Sequence, residues 1–412
     1  MRMPTSKSAM QRSLAAALIR KGETTLLNPG HSEDDLAALR CIRTLGAQVV
    51  IEPDRWVITS HGIDPVGDVL DCGESGLSIR MFTPLAALSD RPMRIIGGGS
   101  LSQRPMHFFS VVLPALGVTV NLNEGRLPIA IQGPLVPSNI EVDGSLSSQF
   151  LTGLIMAYAA TEQRDRTISV RDLKSRPYID LTLQTLQQFE LPVPDNDSYS
   201  RFQFKGNAAA STGSPLVVSV EGDWSAASFW LAAAPIAGAV VLTGLDMQST
   251  QADRAMLDLL KRSGVPVQVE NEQLIVGSGL PGPFEMDATD CPDLFPPLVA
   301  LASQVNGTSV IRGVHRLAHK ESDRAKALQS EFGKLGISVT VKQDEMQVLG
   351  GTGIGAGAVD AHGDHRIAMA LAIAALRASG PVAIHGAESV RKSYPDFWSD
   401  LHSLGAAVSL TD

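Results

Sequence analysis

RAKALQSEFGKLGISVTVKQ, residues Arg324 to Gln343, carries the pattern that decides the fold. Ala327, Leu328, Phe332 and Leu335 recur at helical spacing as far as Gly336, after which Ile337, Val339 and Val341 alternate as in a strand. The glycine between them reads as a helix stop in the left-handed conformation that a side chain opposes. The same phrase recurs as LGAQV from Leu45, LGVTV from Leu116, SGVPV from Ser263 and LGAAV from Leu404. A degraded copy, FELPV, begins at Phe189, with Glu190 in the glycine position. Gly46, Gly117, Glu190, Gly264, Gly336 and Gly405 are thus spaced about 72 residues apart. Six such copies predict six repeated α/β units. Each ends in helix, stop and strand, and each buries its apolar helix face against sheet.

Six units divide into two domains of three, expected at 5–220 and 221–412. The boundary falls near Val218–Asp223, just ahead of an Ala-rich stretch. That stretch, Ser225–Leu245, is uncharged, but Pro235, Gly238 and Gly244 interrupt it and it turns β-branched near its middle. It predicts a helix, a turn and a strand rather than a membrane span. Gly46 comes too early for a full first unit, and few residues follow Gly405. About one strand is therefore expected to be missing at each end, and the second domain to lack an N-terminal strand.

The chain has 412 residues, 44% of them apolar and 19% charged, enough to build sizeable cores. Lys and Arg number 34 against 43 Asp and Glu, a net charge of −9, which excludes a non-specific nucleic-acid binder. The three cysteines, Cys41, Cys72 and Cys291, lie far apart with no CxxC, so neither a disulfide framework nor a zinc ribbon is expected. No secretory signal is read at the start, and a cytoplasmic location is expected.

Several polar residues stand in short, specific contexts. Lys7 and Arg12 lie in PTSKSAMQR, with Lys7 at a helix start where the dipole gives it nothing. Either a solvated terminus or an anionic ligand accounts for it. Gly73, Gly76 and Arg80 lie in CGESGLSIR, and Arg104 in GGGSLSQRPM, each a plain turn or an anion loop. Ser147, Ser148 and Gln149 open a helix, where ordinary capping explains one serine but not all three donors. Asp293 follows Pro292 ahead of an apolar helix, a setting that predicts partial desolvation and a raised pKa. Glu321 has Lys320 and Arg324 beside it, either as ion-pair partners or as parts of one site. His362 and His365 in HGDHR lack a third ligand, and Arg366 would repel a cation, so no metal is expected. There is no P-loop and no GxGxxG between strand and helix, and no cofactor is expected.

Taken together, these segments resemble the EPSP synthase family of enolpyruvyl transferases, in family order and over nearly the whole chain. PTSKSAMQR is similar to the family's PGSKSxSNR, and DCGESGLSIR to its GNxGTxxR. SQRPM, SSQFLT, KSRPYIDLTL, VEGDWSAASFWLAAA, PDLFPPLVALA, HKESDR, GDHRIAMA and RKSYPDF also have counterparts. The resemblance implies an α/β fold, a two-domain inside-out α/β barrel of six βαβαββ units, three per domain, with the first truncated and the domains closing over substrate. It implies transfer of enolpyruvyl from phosphoenolpyruvate to the 5-hydroxyl of 3-phosphoshikimate, by addition and elimination.

Matched motif by motif, Lys7, Gly76, Arg80, Arg104, Gln149, Arg324, Arg366 and Lys392 would lie at phosphoenolpyruvate. Lys7, Ser8, Arg12, Ser147, Ser148, Gln149, Ser175 and Tyr178 would hold 3-phosphoshikimate, with Asp293 and Lys320 near its 5-hydroxyl. Asp293 would be the base, Glu321 the acid, and Lys7 an aid to the leaving phosphate. The partners expected are these two small molecules, with no nucleic acid, no membrane and a monomeric chain. Thr5, Gln11, Glu74, Leu77 and His319 depart from the family pattern, and Glu74 places a carboxylate near a site for anions. Other readings are a sister transferase acting on a UDP-sugar, which would want a cysteine ahead of Arg-Pro, an RNA 3′-phosphate cyclase of the same repeat architecture, which would want nucleotide features and more positive surface, and a paralogue that binds without turnover. The retained Asp293 and Glu321 argue against the last.

Overall fold

The computed structural model describes residues 1–163, 165–205, 213–318 and 320–410. The chain divides into two compact units. One is Thr5–Glu221, here the first unit; the other is Gly222–Asp412 together with Met1–Pro4.

The helices follow the repeat two by two. In the first unit they are α1 (Lys7–Ile19), α2 (Glu33–Thr44), α3 (Gly76–Ala86), α4 (His107–Val112), α5 (Ser148–Ala159) and α6 (Pro177–Gln188). In the second they are α7 (Trp224–Ala237), α8 (Ala255–Arg262), α9 (Phe295–Ala302), α10 (Arg324–Lys334), α11 (His365–Ala375) and α12 (Phe397–Ser403). The odd-numbered helices are buried nearly all round, as their Ala-, Leu- and Phe-rich sequences require. The even-numbered ones bury a single stripe, and the strands alternate buried with exposed positions. Helices therefore fill the middle of each unit and sheets lie outside, the reverse of a common barrel.

Each complete sheet has one order. Val69–Asp71 runs parallel to Pro92–Ile96, which is antiparallel to Arg126–Gln132, which pairs with Thr119–Asn123. Ile140–Asp143, Arg166–Arg171, Arg201–Phe204 and Asp195–Asp197 repeat it, as do Glu285–Asp287, Gly307–Arg312, Glu345–Gly350 and Ser338–Lys342. The sixth repeat keeps only the parallel pair Gly357–Asp360 and Val382–His385, and residues 406–410 form no strand.

The first and fourth repeats exchange their leading strands. Gly22–Leu27, Arg55–Ser60 and Gln48–Ile51 are completed by Leu216–Ser219, which stands in sequence just before α7 yet pairs in parallel with Gly22–Leu27. The fourth repeat's Val240–Thr243, Gln273–Val276 and Val267–Glu270 are flanked instead by the N-terminus, through a parallel bridge between Arg2 and Thr243. Met3 donates its N–H to the Thr243 carbonyl at 2.9 Å, and Thr243 donates to Met1 at 2.9 Å. No strand element forms at Met1–Pro4; the N-terminus meets the second unit through this single bridge and its flanking hydrogen bonds.

All six stop positions adopt positive φ: Gly46 at 107°, Gly117 at 86°, Gly264 at 79°, Gly336 at 85°, Gly405 at 99° and Glu190 at 55°. The periodic reading thus identified a backbone requirement, one that Glu190 meets at a steric cost.

Candidate active site

In the first unit five helices, α1, α2, α3, α5 and α6, are tied together near their N-termini by polar side chains. Ser6 caps α1 by accepting from Ala9 N–H, and Lys7 follows with its ammonium 3.0 Å from Asp34 on α2. This acidic partner gives Lys7 a local reason for its position beyond the two weighed from sequence. Arg12, one turn on, is buried. It donates to Thr182 Oγ1 at 2.9 Å, to the Ser8 carbonyl at 2.8 Å and to the Tyr178 carbonyl at 3.2 Å. Its guanidinium also lies 5.9 Å from the Tyr178 ring centroid. Burial lowers the Arg12 pKa to about 10, which leaves it charged at neutral pH.

Gln11 joins α1 to α3. Its Oε1 accepts from Ser75 and Ser78 hydroxyls, both at 3.0 Å, and Ser75 is the N-cap of α3. Arg80, on α3, donates to Gln149 Oε1 on α5 at 2.6 Å and lies 5.0 Å from the Phe150 ring centroid. Gly76 opens α3 and leaves room for two guanidinium groups: a Cβ there would stand 2.6 Å from Arg104 Nη1 and 3.2 Å from Arg80 Nη1, so Arg104 would have to move. Arg104 ends a 3-10 turn, Gly99–Gln103, and donates to Ser100 Oγ at 3.3 Å. Ser147 caps α5 by accepting from Gln149 N–H at 3.3 Å, and Ser148 is buried beside it. Ser175, at φ 56°, leads into α6 two residues before Pro177, and Tyr178 stands in the first turn.

The second unit holds the acids. Asp293 lies in a 3-10 turn, Pro292–Leu294, that feeds α9. Three cations surround its carboxylate: Arg324 Nη1 at 2.5 Å, Arg366 Nη2 at 3.1 Å and Lys320 Nζ at 3.2 Å. Arg324, the first residue of α10, is the hub. It also donates to Glu321 at 2.6 Å and, through Nε at 2.7 Å, to the fully buried Asp364, which caps α11. Arg366 on α11 meets His365 Nε2 at 2.5 Å and Ser225 Oγ at 2.8 Å. Lys392, at the end of a 3-10 segment, donates to the Gly363 carbonyl at 2.9 Å.

These charges correct one expectation. Burial does push the Asp293 carboxyl up, but Arg366, Lys320 and Arg324 outweigh it and hold the pKa well below the usual carboxylate range. Burial, with Arg324 nearby, lowers the Lys320 pKa despite Asp293. Burial also works against the Arg324 charge, yet Asp364, Glu321 and Asp293 together raise its pKa. A deeply set carboxylate is thus kept ionised by cations of the kind that grip phosphates and carboxylates.

Of the departures, Thr5 donates its hydroxyl to the Asn28 carbonyl at 2.8 Å, Leu77 is buried, and Glu74 packs its carboxylate against Gly99 at the start of the turn that carries Arg104. His319 lies outside the described residues. Among the described residues no group of three or more His, Cys, Asp and Glu is placed to hold a metal ion, and no helix is long and apolar enough to cross a membrane. Sequence reasoning missed Asp34, Thr182 and Ser225 as partners of the named residues. Asp364 was in view within HGDHR, but its hold on Arg324 was not.

Six α/β repeats with helices inside and sheets outside, and a second unit that gathers Lys320, Arg324 and Arg366 around Asp293, define the class as a two-unit inside-out α/β protein with a cation cluster of the kind that grips anions. The EPSP synthase (3-phosphoshikimate 1-carboxyvinyltransferase) family profile matches residues 1–401. The chain is 37% identical to the 3-phosphoshikimate 1-carboxyvinyltransferase of Halobacterium salinarum, over 98% of this chain and 96% of that one. It is 34% identical to that of Clostridium perfringens, over 99% and 96%. An EPSP synthase structure from Acinetobacter baumannii superposes with a TM-score of 0.80 at 26% identity, covering 98% of this chain and 94% of the other. The chain belongs to the EPSP synthase family.

Proposed function

We propose that this protein transfers the enolpyruvyl group of phosphoenolpyruvate to the 5-hydroxyl of 3-phosphoshikimate and releases phosphate, a step of aromatic amino-acid biosynthesis. The observation that carries the reading is the cluster of Asp293, Glu321 and Arg324, in which acid–base groups and anion-gripping cations share hydrogen bonds. Two carboxylates within this cation cluster supply a base and an acid, which binding alone does not require.

In the proposed mechanism, Arg324, Arg366, Lys392, Arg104, Arg80, Gln149 and Lys7 receive phosphoenolpyruvate, with Gly76 leaving the backbone close. Arg12, Ser8, Ser147, Ser148, Ser175 and Tyr178 take the 3-phosphoshikimate side, joined by Lys7, Gln149 and Lys320. Anions that draw off Arg324, Arg366 and Lys320 remove the charges that depress Asp293, so its basicity rises when substrate arrives. Asp293 then accepts the 5-hydroxyl proton as the oxygen bonds to C2 of phosphoenolpyruvate, and Glu321 gives a proton to the methylene carbon. In the elimination Glu321 takes a proton back from the new methyl group, the C2–phosphate oxygen bond breaks, Lys7 stabilises the departing phosphate, and the proton held on Asp293 ends on that phosphate, which restores both acid and base. Lys320 helps hold the 5-hydroxyl. We further propose a monomeric, cytoplasmic enzyme.

The test is phosphate release and product formation with both substrates. Asp293→Asn and Glu321→Gln should each lower kcat by about a thousandfold or more, in the range of a lost acid–base group. Wild-type protein that binds 3-phosphoshikimate but releases no phosphate would leave the non-catalytic binder as the better account.

A further inference from the structure

Behind the cation cluster of the second unit lies a buried carboxylate to which the mechanism above gives no role. Asp253 is 1% exposed, on a 3-10 turn, Ala252–Arg254, just before α8. It accepts the hydroxyl proton of Ser225 on the first turn of α7. The same Ser225 oxygen accepts from Arg366 Nη2 at 2.8 Å, and that nitrogen also stands 3.1 Å from Asp293. The hydroxyl has one proton, and Asp253 takes it. The Ser225 lone pairs are thereby left toward Arg366.

The turn is also clipped to the start of α7 by the side-chain amide of Gln251, the residue just before it. Gln251 accepts from Trp224 N–H at 3.0 Å and donates to the Gly222 carbonyl at 2.9 Å. Burying a carboxylate is costly, and Asp253 meets that cost at a place where it accepts from a hydroxyl bonded to Arg366. A neutral side chain could clip the turn, but only an acceptor in this place fixes which way the Ser225 hydroxyl points.

We propose that Asp253 is a positioning residue that acts through Ser225 to aim the Arg366 guanidinium at the carboxylate or phosphate of phosphoenolpyruvate. The inference rests on the function proposed above. Asp253 touches no reacting atom; it sets the direction of a hydroxyl, which sets the direction of the cation. Its loss should weaken the ligand that Arg366 grips and leave the other substrate alone.

The experiment compares wild type, Asp253→Ala, Asp253→Asn, Ser225→Ala and the Asp253→Ala/Ser225→Ala pair, measuring kcat, both KM values and the urea midpoint. Asp253→Ala and Ser225→Ala should each raise KM for phosphoenolpyruvate by about tenfold, with KM for 3-phosphoshikimate moved less than about twofold. The double variant should be no worse than the worse single one, because both break one chain of contacts. Asp253→Asn, which keeps an acceptor oxygen, should recover most of the loss. Unchanged KM values, equal changes in both, or effects that multiply in the double variant would each overturn the proposal. Ser225→Ala removes only one oxygen, so it keeps the test open should Asp253→Ala fail to fold. Absence of turnover in wild type would instead overturn the proposed function.

Discussion

At Gly76 the missing side chain makes room for two guanidinium groups, Arg104 and Arg80. Gly76→Ala would push Arg104 away, since a 2.6 Å approach is not sustainable. We expect KM for phosphoenolpyruvate to rise roughly tenfold with kcat changed much less, as steady-state kinetics would register. Asp35 offers a second test. It is buried in the capping box of α2, and burial raises its pKa from 3.8 to about 7 against the hydrogen bonds from Ser32. Between those values the folded chain holds a proton that the unfolded chain has released. Its contribution to stability is therefore complete below pH 4 and is lost as pH rises toward 7, by roughly 4 kcal/mol. Asp35→Asn should flatten that part of the stability–pH curve, measured by urea unfolding from pH 4 to 8. Asp293, Glu321, Arg324 and Arg366 were legible in the sequence because each sits in a short distinctive motif. The sign of the Asp293 pKa shift was not. Desolvation is a local inference from Pro292, whereas Lys320 and Arg324 arrive from 27 and 31 residues on. Asp34 and Ser225 escaped for the same reason: a hydrogen bond across elements leaves no periodic mark.

The elements repeat a single plan, and the stop position shows how tightly the backbone holds it. Where five repeats place glycine, the third keeps the left-handed turn with Glu190. The turn was legible from spacing alone, and the substitution shows that repeat geometry overrides residue preference. Glu190→Gly should stabilise the first unit by about 1 kcal/mol, read as a higher urea midpoint at unchanged slope. The ion pair between Glu190 and Arg20 is long, at 3.5 Å, and the Glu190 side chain is half exposed, so removing it offsets little of that gain. The odd helices make the complementary case. Ser225–Leu245 reads as helix, turn and strand, and α7 followed by Val240–Thr243 is what forms. Its burial on every side could be read from composition; which strands cover it could not.

On the scale of the whole molecule, the exchanged leading strands were the least legible feature. Six near-equal periods predict six like sheets, shortened at the two ends of the chain. They say nothing of Leu216–Ser219 leaving its own repeat for the first, or of Met1–Pro4 taking its place. Removing Met1–Pro4 would take away the Met1 and Met3 bonds to Thr243 and the bond from Asp223 N–H to the Pro4 carbonyl. The second unit should then lose about 2–3 kcal/mol, seen as earlier urea unfolding of that unit and faster proteolysis near Thr243. A piece spanning 5–221 retains its sheets and should fold by itself, whereas 222–412 alone carries an open strand edge and should self-associate.

The same exchange sets an order in time. The segment that flanks Val240–Thr243 leaves the ribosome ahead of the rest of its unit, and its partner Val241 follows 240 residues later. At ordinary translation rates that is a delay on the order of ten to fifty seconds. The first unit can close meanwhile, because Leu216–Ser219 emerges before Val240. The opening residues must stay unclaimed throughout, and a chaperone or a neighbouring nascent chain that captured them would leave a finished first unit attached to a second that cannot complete its sheet.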